Sequence, residues 1–310
     1  MLTSPAEIEP LRQQHYNATL TDIDAIHDDL WILRIRPDEG VQSFIPGQYT
    51  TLGLGDWEPT NDPPNNEEVG ETLKSKLVRR AYSFSYPIFG EDEKTLVAPD
   101  EIDYYEFYIA LVDRNGEAGQ DPSLTPRLFA MKPGDRLWAG AKVTGHYVLH
   151  DYRPDDQLIF GATGTGEAPH NCMISHLLRE GFTGNIVSMV CTRYEADLAY
   201  KTKNEELQKR YPNFKYITLT TREKSTIDRK VYIQDLVSSG ELEKLTGWEL
   251  RSESTHVYMC GNPSMIGVPK YKGGNKTYPE PIGMVEMLED RGFKADYRKE
   301  KGNVHFEEYW

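Results

Sequence analysis

The run Gln157-Leu158-Ile159-Phe160-Gly161-Ala162-Thr163-Gly164-Thr165-Gly166-Glu167-Ala168-Pro169 joins an apolar strand to a helix through a glycine-rich turn. Glycines let the backbone turn tightly and approach a phosphate, and a helix N-terminus presents unpaired N–H groups at the positive end of its dipole. The helix over Pro169–Arg179 carries Met173, Ile174, Leu177 and Leu178 at helical spacing, and Pro169 is tolerated in a first turn. The loop is not the Rossmann fingerprint, because Pro169 stands where the third glycine belongs, and no Lys-Ser/Thr pair makes it a P-loop. A tight turn without a ligand is the alternative reading.

The same alternation continues outward. Asn185–Cys191, Phe214–Thr220 and His256–Cys260 are rich in β-branched and aromatic residues, as strands buried on both faces are. Glu205–Tyr211, Val231–Ser238 and Gly283–Arg291 are helix candidates between and after them. Strand–helix alternation implies βαβ units and an open parallel sheet, whose ligands lie beyond the carboxyl ends of the strands. Thr192-Arg193 and Thr221-Arg222 end two of these strands, with Lys230 and Tyr232 following. Threonine and arginine there suit a terminal phosphate, and a nucleotide carrying a 2′-phosphate is the natural occupant. The bland alternative is that two surface arginines happen to end strands. The next strand ends in Cys260-Gly261-Asn262-Pro263-Ser264-Met265, where Gly261 again permits close approach and Cys260 reads as a small buried apolar residue.

Before the charged linker Asp151–Asp156 the pattern is different. Tyr16–Leu20, Leu30–Ile35, Tyr49–Leu54, Ala81–Ser85, Glu106–Val112 and Arg136–Ala139 are short alternating segments, punctuated by Pro46-Gly47 and Pro133-Gly134-Asp135. They predict an antiparallel barrel or sandwich. In Arg80-Ala81-Tyr82-Ser83-Phe84-Ser85, Arg80, Tyr82 and Phe84 share one side, and Ala81, Ser83 and Ser85 the other. Taken alone it is a barrel strand with an aromatic stripe. Asp56–Lys76 and Glu91–Asp103 are inserted surface loops. The expected organisation is an antiparallel β-barrel over residues 1–153 and an α/β nucleotide-binding domain over 154–310.

Bulk composition narrows the classes. The 310 residues carry a formal charge of −14, with 38 % hydrophobic and 27 % charged residues, which suits a globular protein and not a nucleic-acid binder. Cys172, Cys191 and Cys260 form no disulfide, metal or iron–sulfur spacing, so no metal is expected and a reducing compartment is. No apolar run approaches the ~20 residues of a membrane span, and residues 1–17 lack a signal core; a cytoplasmic monomer is the default expectation.

Together these motifs resemble the ferredoxin–NADP reductase family, and within it the bacterial ferredoxin (flavodoxin)–NADP reductases. The resemblance is carried by Arg80-Ala81-Tyr82-Ser83, Thr163 through Pro169, Cys260-Gly261-Asn262-Pro263 and the terminal Glu307-Glu308-Tyr309-Trp310, in order along nearly the whole chain. Leu124-Thr125-Pro126-Arg127-Leu128, Pro133-Gly134-Asp135 and Ser239-Gly240-Glu241-Leu242 look like the bacterial branch. Thr221-Arg222 through Lys230-Val231-Tyr232-Ile233-Gln234 looks more like the plastid type. The insertions Asp56–Lys76, Glu91–Asp103 and Val268–Ile282 depart from both.

The resemblance implies a flavoenzyme that moves hydride between NADP(H) and FAD and single electrons between FAD and ferredoxin or flavodoxin. It implies that Arg80 pairs with the FAD pyrophosphate, Tyr82 stacks on the ring, and Ser83 bonds near N5. Ala81, Tyr108 and Ile109 would line the flavin, and Leu124, Thr125 and Thr165 would help hold it. Tyr309 would cover the ring face opposite Tyr82 and act as a gate, with Trp310 near the adenine; the alternative for both is a frayed terminus. NADP(H) would take Gly164, Thr165, Gly166, Thr192, Arg193, Thr221, Arg222, Lys230, Tyr232, Cys260 and Gly261. Ser83, Cys260, Glu307 and Tyr309 would form the catalytic set. Lys74, Lys76, Arg79 and Lys142 are either a basic rim for an acidic carrier or ordinary solvated charge. The alternatives are a related NAD(P)H-dependent reductase serving another acceptor, such as an oxygenase, and a catalytically silent flavin- or nucleotide-binding subunit.

Overall fold

The computed structural model describes residues 5–61, 76–90, 92–112, 124–273 and 275–309. The chain divides into two compact units, one of residues 1–87 and 97–146, the other of 88–96 and 147–310.

The first unit opens with α1 (Pro5–His15), where the sequence suggests only a polar start. Its Arg12 guanidinium forks onto Glu58 at 2.9 and 2.6 Å, and the Tyr16 hydroxyl donates to the same carboxylate while accepting from the Gly55 N–H. These long-range contacts hold a helix whose polar sequence has no strong apolar stripe. The strands β1 (Ala18–His27), β2 (Leu30–Pro37), β3 (Tyr49–Gly55), β4 (Leu77–Ser83), β5 (Tyr105–Ala110) and β6 (Arg136–Ala139), with the short α2 (Thr125–Leu128), complete the unit. The strands form one antiparallel sheet in the order β4-β3-β6-β1-β2-β5.

The stretch expected as a strand over Ala81–Ser85 belongs to two pairings. Leu77–Ser83 pairs with β3, Tyr49 opposite Ser83. Beyond it the Phe84 N–H donates to the Gln48 carbonyl, and the Ser85 N–H donates to the Glu106 carbonyl of β5 at 2.8 Å. That bridge joins the two edge strands and closes the sheet into a barrel, which removes its edges. Phe84 is fully buried inside, with ring centres 4.2 Å from Phe44, 4.6 Å from Tyr105 and 5.7 Å from Phe107.

The second unit contains β7 (Gln157–Thr163), α3 (Glu167–Arg179), β8 (Ile186–Thr192), α4 (Lys201–Arg210), β9 (Phe214–Thr220), α5 (Ile233–Ser238), α6 (Glu241–Thr246) and β10 (Thr255–Gly261). It ends with α7 (Pro263–Ile266), the hairpin β11 (Lys270–Lys272) and β12 (Asn275–Thr277), α8 (Met284–Asp290) and β13 (Val304–Glu308). Five parallel strands run in the order β13-β10-β7-β8-β9. Ile159, Val187, Met189 and Val257 bury one face against Ile233, Leu236, Val285 and Leu288. One expectation fails here: Phe214–Thr220 is an edge strand, and only Phe214 in it is buried.

The inserted segment Ile88–Leu96 belongs to this second unit. Phe89 and Leu96 form a bridge, and Arg210 of α4 lies 4.6 Å over the Phe89 ring and donates to the Glu93 and Lys94 carbonyls. Among the described residues no helix is long and apolar enough to cross a membrane.

Phe84→Ala would empty the centre of the barrel's aromatic cluster and should cost about 3–5 kcal/mol. Denaturant unfolding of the variant measures this; an unchanged midpoint would mean that the cluster does not hold the barrel closed.

Candidate active site

In the first unit, the sequence-predicted residues lie along β4, β5 and the start of α2. Arg80 and Ala81 are exposed, and among the described residues Arg80 makes no ion pair; its guanidinium donates to the Arg79 carbonyl at 2.8 Å. Tyr82 is half-buried, its ring edge-on to Phe107 at 6.4 Å, and Ser83 is buried opposite Tyr49. Tyr108 and Ile109, both buried, pair with Ile32 and Trp31 of β2. Leu124 and Thr125 are buried, and the Thr125 hydroxyl accepts the Val112 N–H at 2.9 Å, tying α2 to the chain leaving β5. Lys76 and Lys142 are exposed, and Arg79 stacks 4.2 Å over the Trp138 ring. Lys74 and Trp310 lie outside the described residues.

In the second unit the strand order reverses between β7 and β10, and the carboxyl end of a parallel sheet at such a reversal is where crevices form. The loops leaving these strands interlock. A Cβ on Gly166 would fall 2.2 Å from the Cys260 carbonyl oxygen, and one on Gly261 would fall 2.2 Å from Thr163 Oγ1. Gly261 also holds a φ of +124°, so glycine is required there twice over. Thr163 Oγ1 accepts the Asn262 N–H at 2.7 Å and locks the loops together. Gly164, at a φ of +53°, has nothing within 4 Å on its Cβ side and leaves open backbone.

The last strand adds the remaining groups. Glu307 pairs in register with Cys260, and the Tyr309 N–H donates to the Gly261 carbonyl at 2.8 Å. Burial, reinforced by the Glu307 carboxylate, holds the Cys260 thiol well above its ordinary range, with the Tyr309 hydroxyl pulling the other way. Cys260 is therefore a neutral thiol and not a nucleophile. Sequence reasoning missed two neighbours. Buried Tyr147 lies with its hydroxyl 2.7 Å from His170 Nε2, and burial, reinforced by the Glu307 carboxylate, raises its pKa well above the ordinary range. Desolvation lowers the His170 pKa to about 3, so the ring is neutral. The only signal for His170 was its place directly after Pro169.

The two arginine-ended strands also meet. The Thr221 N–H and hydroxyl donate to the Thr192 carbonyl, and the Arg222 N–H donates to the Arg193 carbonyl at 2.8 Å. Both arginines are exposed, and among the described residues neither makes an ion pair. Lys230 and Tyr232 are exposed just before α5, where the Tyr232 N–H donates to Asp235; no hydrogen bond among the described residues joins them to the arginine pair.

Residues 160–270 match the family model of the oxidoreductase NAD-binding domain. The chain is 31 % identical over 227 residues to the flavodoxin/ferredoxin–NADP reductase of Escherichia coli (strain K12), covering 73 % of this chain and 77 % of that one. It is 27 % identical over 271 residues to the flavodoxin/ferredoxin–NADP reductase of Buchnera aphidicola subsp. Schizaphis graminum (strain Sg), covering 87 % and 90 %. The crystal structure of a ferredoxin NADP+ reductase from Neisseria gonorrhoeae, with bound FAD and NADP, superposes with a TM-score of 0.67 at 19 % identity, covering 94 % and 97 %. A closed antiparallel barrel followed by a five-stranded parallel sheet, together with the matched oxidoreductase NAD-binding domain, defines a two-domain oxidoreductase. The chain belongs to the flavodoxin/ferredoxin–NADP reductase family.

Glu167 is the first residue of α3. It is fully buried, its Oε1 accepts from Asn204 Nδ2 at 3.1 Å and from the Tyr216 hydroxyl at 3.2 Å, and among the described residues its Oε2 has no partner. Desolvation raises its pKa from 4.5 to about 8. Below 4.5 the carboxyl is neutral whether folded or unfolded; between 4.5 and about 8 only the unfolded chain ionises, so this group's stability contribution is lost as pH rises. Glu167→Gln should flatten that slope, read as unfolding midpoints measured across the same interval; an unchanged slope would place the titration elsewhere.

Proposed function

We propose that this chain is an FAD-dependent ferredoxin (flavodoxin)–NADP(+) reductase whose site lies where the ends of β7, β10 and β13 converge. Family membership supplies the activity: hydride moves between NADP(H) and FAD, and single electrons move between FAD and ferredoxin or flavodoxin. The observation that carries the local reading is the interlock of Gly166 and Gly261 beside the paired Cys260 and Glu307.

The residues fit both groups. Open backbone at Gly164, before the start of α3, suits a pyrophosphate. Arg80 is an exposed cation outside any ion pair among the described residues, at the middle of the strand that carries Tyr82 and Ser83. In this reading residues 1–153 carry FAD and 154–310 carry NADP(H).

Arg80 neutralises the FAD pyrophosphate by a charge-assisted contact, and Tyr82 offers its ring face to the flavin. Ser83 donates near N5, and Ala81, Tyr108 and Ile109 shape the walls. Leu124 and Thr125 complete the phosphate end. Gly164, Thr165 and Gly166 turn N–H groups toward the second pyrophosphate. Thr192, Arg193, Thr221, Arg222, Lys230 and Tyr232 read the 2′-phosphate and adenine end. Cys260, held neutral, and Gly261 give the nicotinamide a small uncharged surface. Glu307 holds a carboxylate beside it. Tyr309, bonded to Gly261 beside Cys260, would cover the place of the nicotinamide and would have to move aside for the nucleotide. The protein acts as a cytoplasmic monomer, and Lys76, Arg79 and Lys142 offer positive charge to the acidic carrier.

NADPH-driven reduction of a dye, followed by cytochrome c reduction that depends on added flavodoxin or ferredoxin, tests this function. Dye reduction without the carrier-dependent step would point to another acceptor, and neither reaction to a silent binding subunit. Tyr309→Ser should tighten NADP+ binding and narrow the preference for NADPH over NADH. Equal nucleotide affinities in variant and wild type would rule out the gate.

A further inference from the structure

β9 is the edge strand of the parallel sheet, so the loop that leaves it has a neighbouring strand on one side only. Arg222 stands on that loop, and Arg193 stands on the loop leaving β8. Two exposed loops keep a fixed spacing only if something beyond the strand ladder ties them.

Glu223 supplies that tie from both ends. Its backbone carbonyl accepts the N–H groups of Thr226 at 3.0 Å and Ile227 at 2.9 Å, which folds its own loop into a turn. Its carboxylate reaches the other loop, where Oε1 accepts the Glu195 N–H at 2.8 Å. Glu195 opens the short 3-10 turn Glu195–Asp197, and the first N–H groups of such a turn have no partner within it. The other acids nearby are occupied: Asp197 accepts the Tyr194 N–H, and Glu195 pairs with Lys201. Among the described residues Glu223 makes no ion pair, although Arg222 adjoins it in sequence and Arg193 lies on the loop it holds. A carboxylate on the same pair of loops as two arginines weakens their pull on an anion unless it serves another purpose. Its purpose here is a bond to backbone.

We propose that Glu223 is a positioning residue that sets the spacing of Arg193 and Arg222, and through it the preference for a nucleotide bearing a 2′-phosphate. The proposal rests on the reading that these arginines grip that phosphate. Loss of the tie leaves the backbone contacts Arg222 N–H to Arg193 carbonyl and Thr221 N–H to Thr192 carbonyl, so the loops should loosen without unfolding.

The test is steady-state dye reduction with NADPH and with NADH for Arg222→Ala, Glu223→Ala and Glu223→Gln. Arg222→Ala should raise the KM for NADPH about tenfold and spare that for NADH. Glu223→Ala should raise the NADPH KM about fivefold, with kcat and the NADH KM within about twofold of wild type. Glu223→Gln keeps an oxygen that can accept the Glu195 N–H and removes the charge; it should restore the wild-type NADPH KM or lower it. If Arg222→Ala has no selective effect, the phosphate reading fails and the proposal with it. If Arg222→Ala is selective but Glu223→Ala leaves the NADPH KM unchanged, lowers it, or raises the NADH KM equally, the clasp fails alone. A Glu223→Gln variant as impaired as Glu223→Ala would also overturn it, because charge and not the bond would then be the cause.

Discussion

At the end of β10 the carbonyl oxygen of Cys260 stands where a side chain on residue 166 would have to begin. That exclusion sets the geometry of the second unit's working edge. The first and fourth parallel strands can bring their loops this close only because Gly166 and Gly261 have no side chains, and Thr163 then locks them by taking the Asn262 N–H. β13 is laid on this base, with Glu307 beside Cys260 and Tyr309 bonded to Gly261. A side chain at either glycine would displace residues that are distant in sequence.

The barrel has a comparable dependence on one short stretch. Arg80–Ser85 is an ordinary strand by composition, yet it pairs with β3 in its first part and with β5 at Ser85. The residues that face solvent at Arg80 and Ala81 are therefore continuous with Phe84, the centre of the core. Strand closure and the proposed flavin seat share one backbone.

Much of this was legible because it rests on local chemistry. Gly164-Thr165-Gly166 before a helix, Cys260-Gly261 after a buried strand, and turn residues between short alternating segments each have a local physical cause. What was not legible depends on partners far along the chain. β13 carries the charged Glu307-Glu308 and no clean alternation, so only its pairing with β10 makes it a strand. α1 is polar and is held by Glu58. Phe214–Thr220 looks fully buried by composition, but residue content cannot tell an edge strand from a central one. Tyr147 and His170 are 23 positions apart and carried no shared motif.

The segment 88–96 lies, in sequence, among the barrel strands, yet Arg210 and the Phe89–Leu96 bridge place it in the other unit. The chain therefore passes between the units three times: after 87, after 96 and after 146. A gene fragment starting at 147 would encode an incomplete nucleotide unit, lacking the bridged segment 88–96 that packs on Arg210 of α4. A single backbone cut after residue 146 would still leave segment 88–96 of the first piece built into the second unit. Two-part in space, the molecule is not separable by one cut in its sequence, and exchange of a whole domain between relatives would have to carry this small segment along.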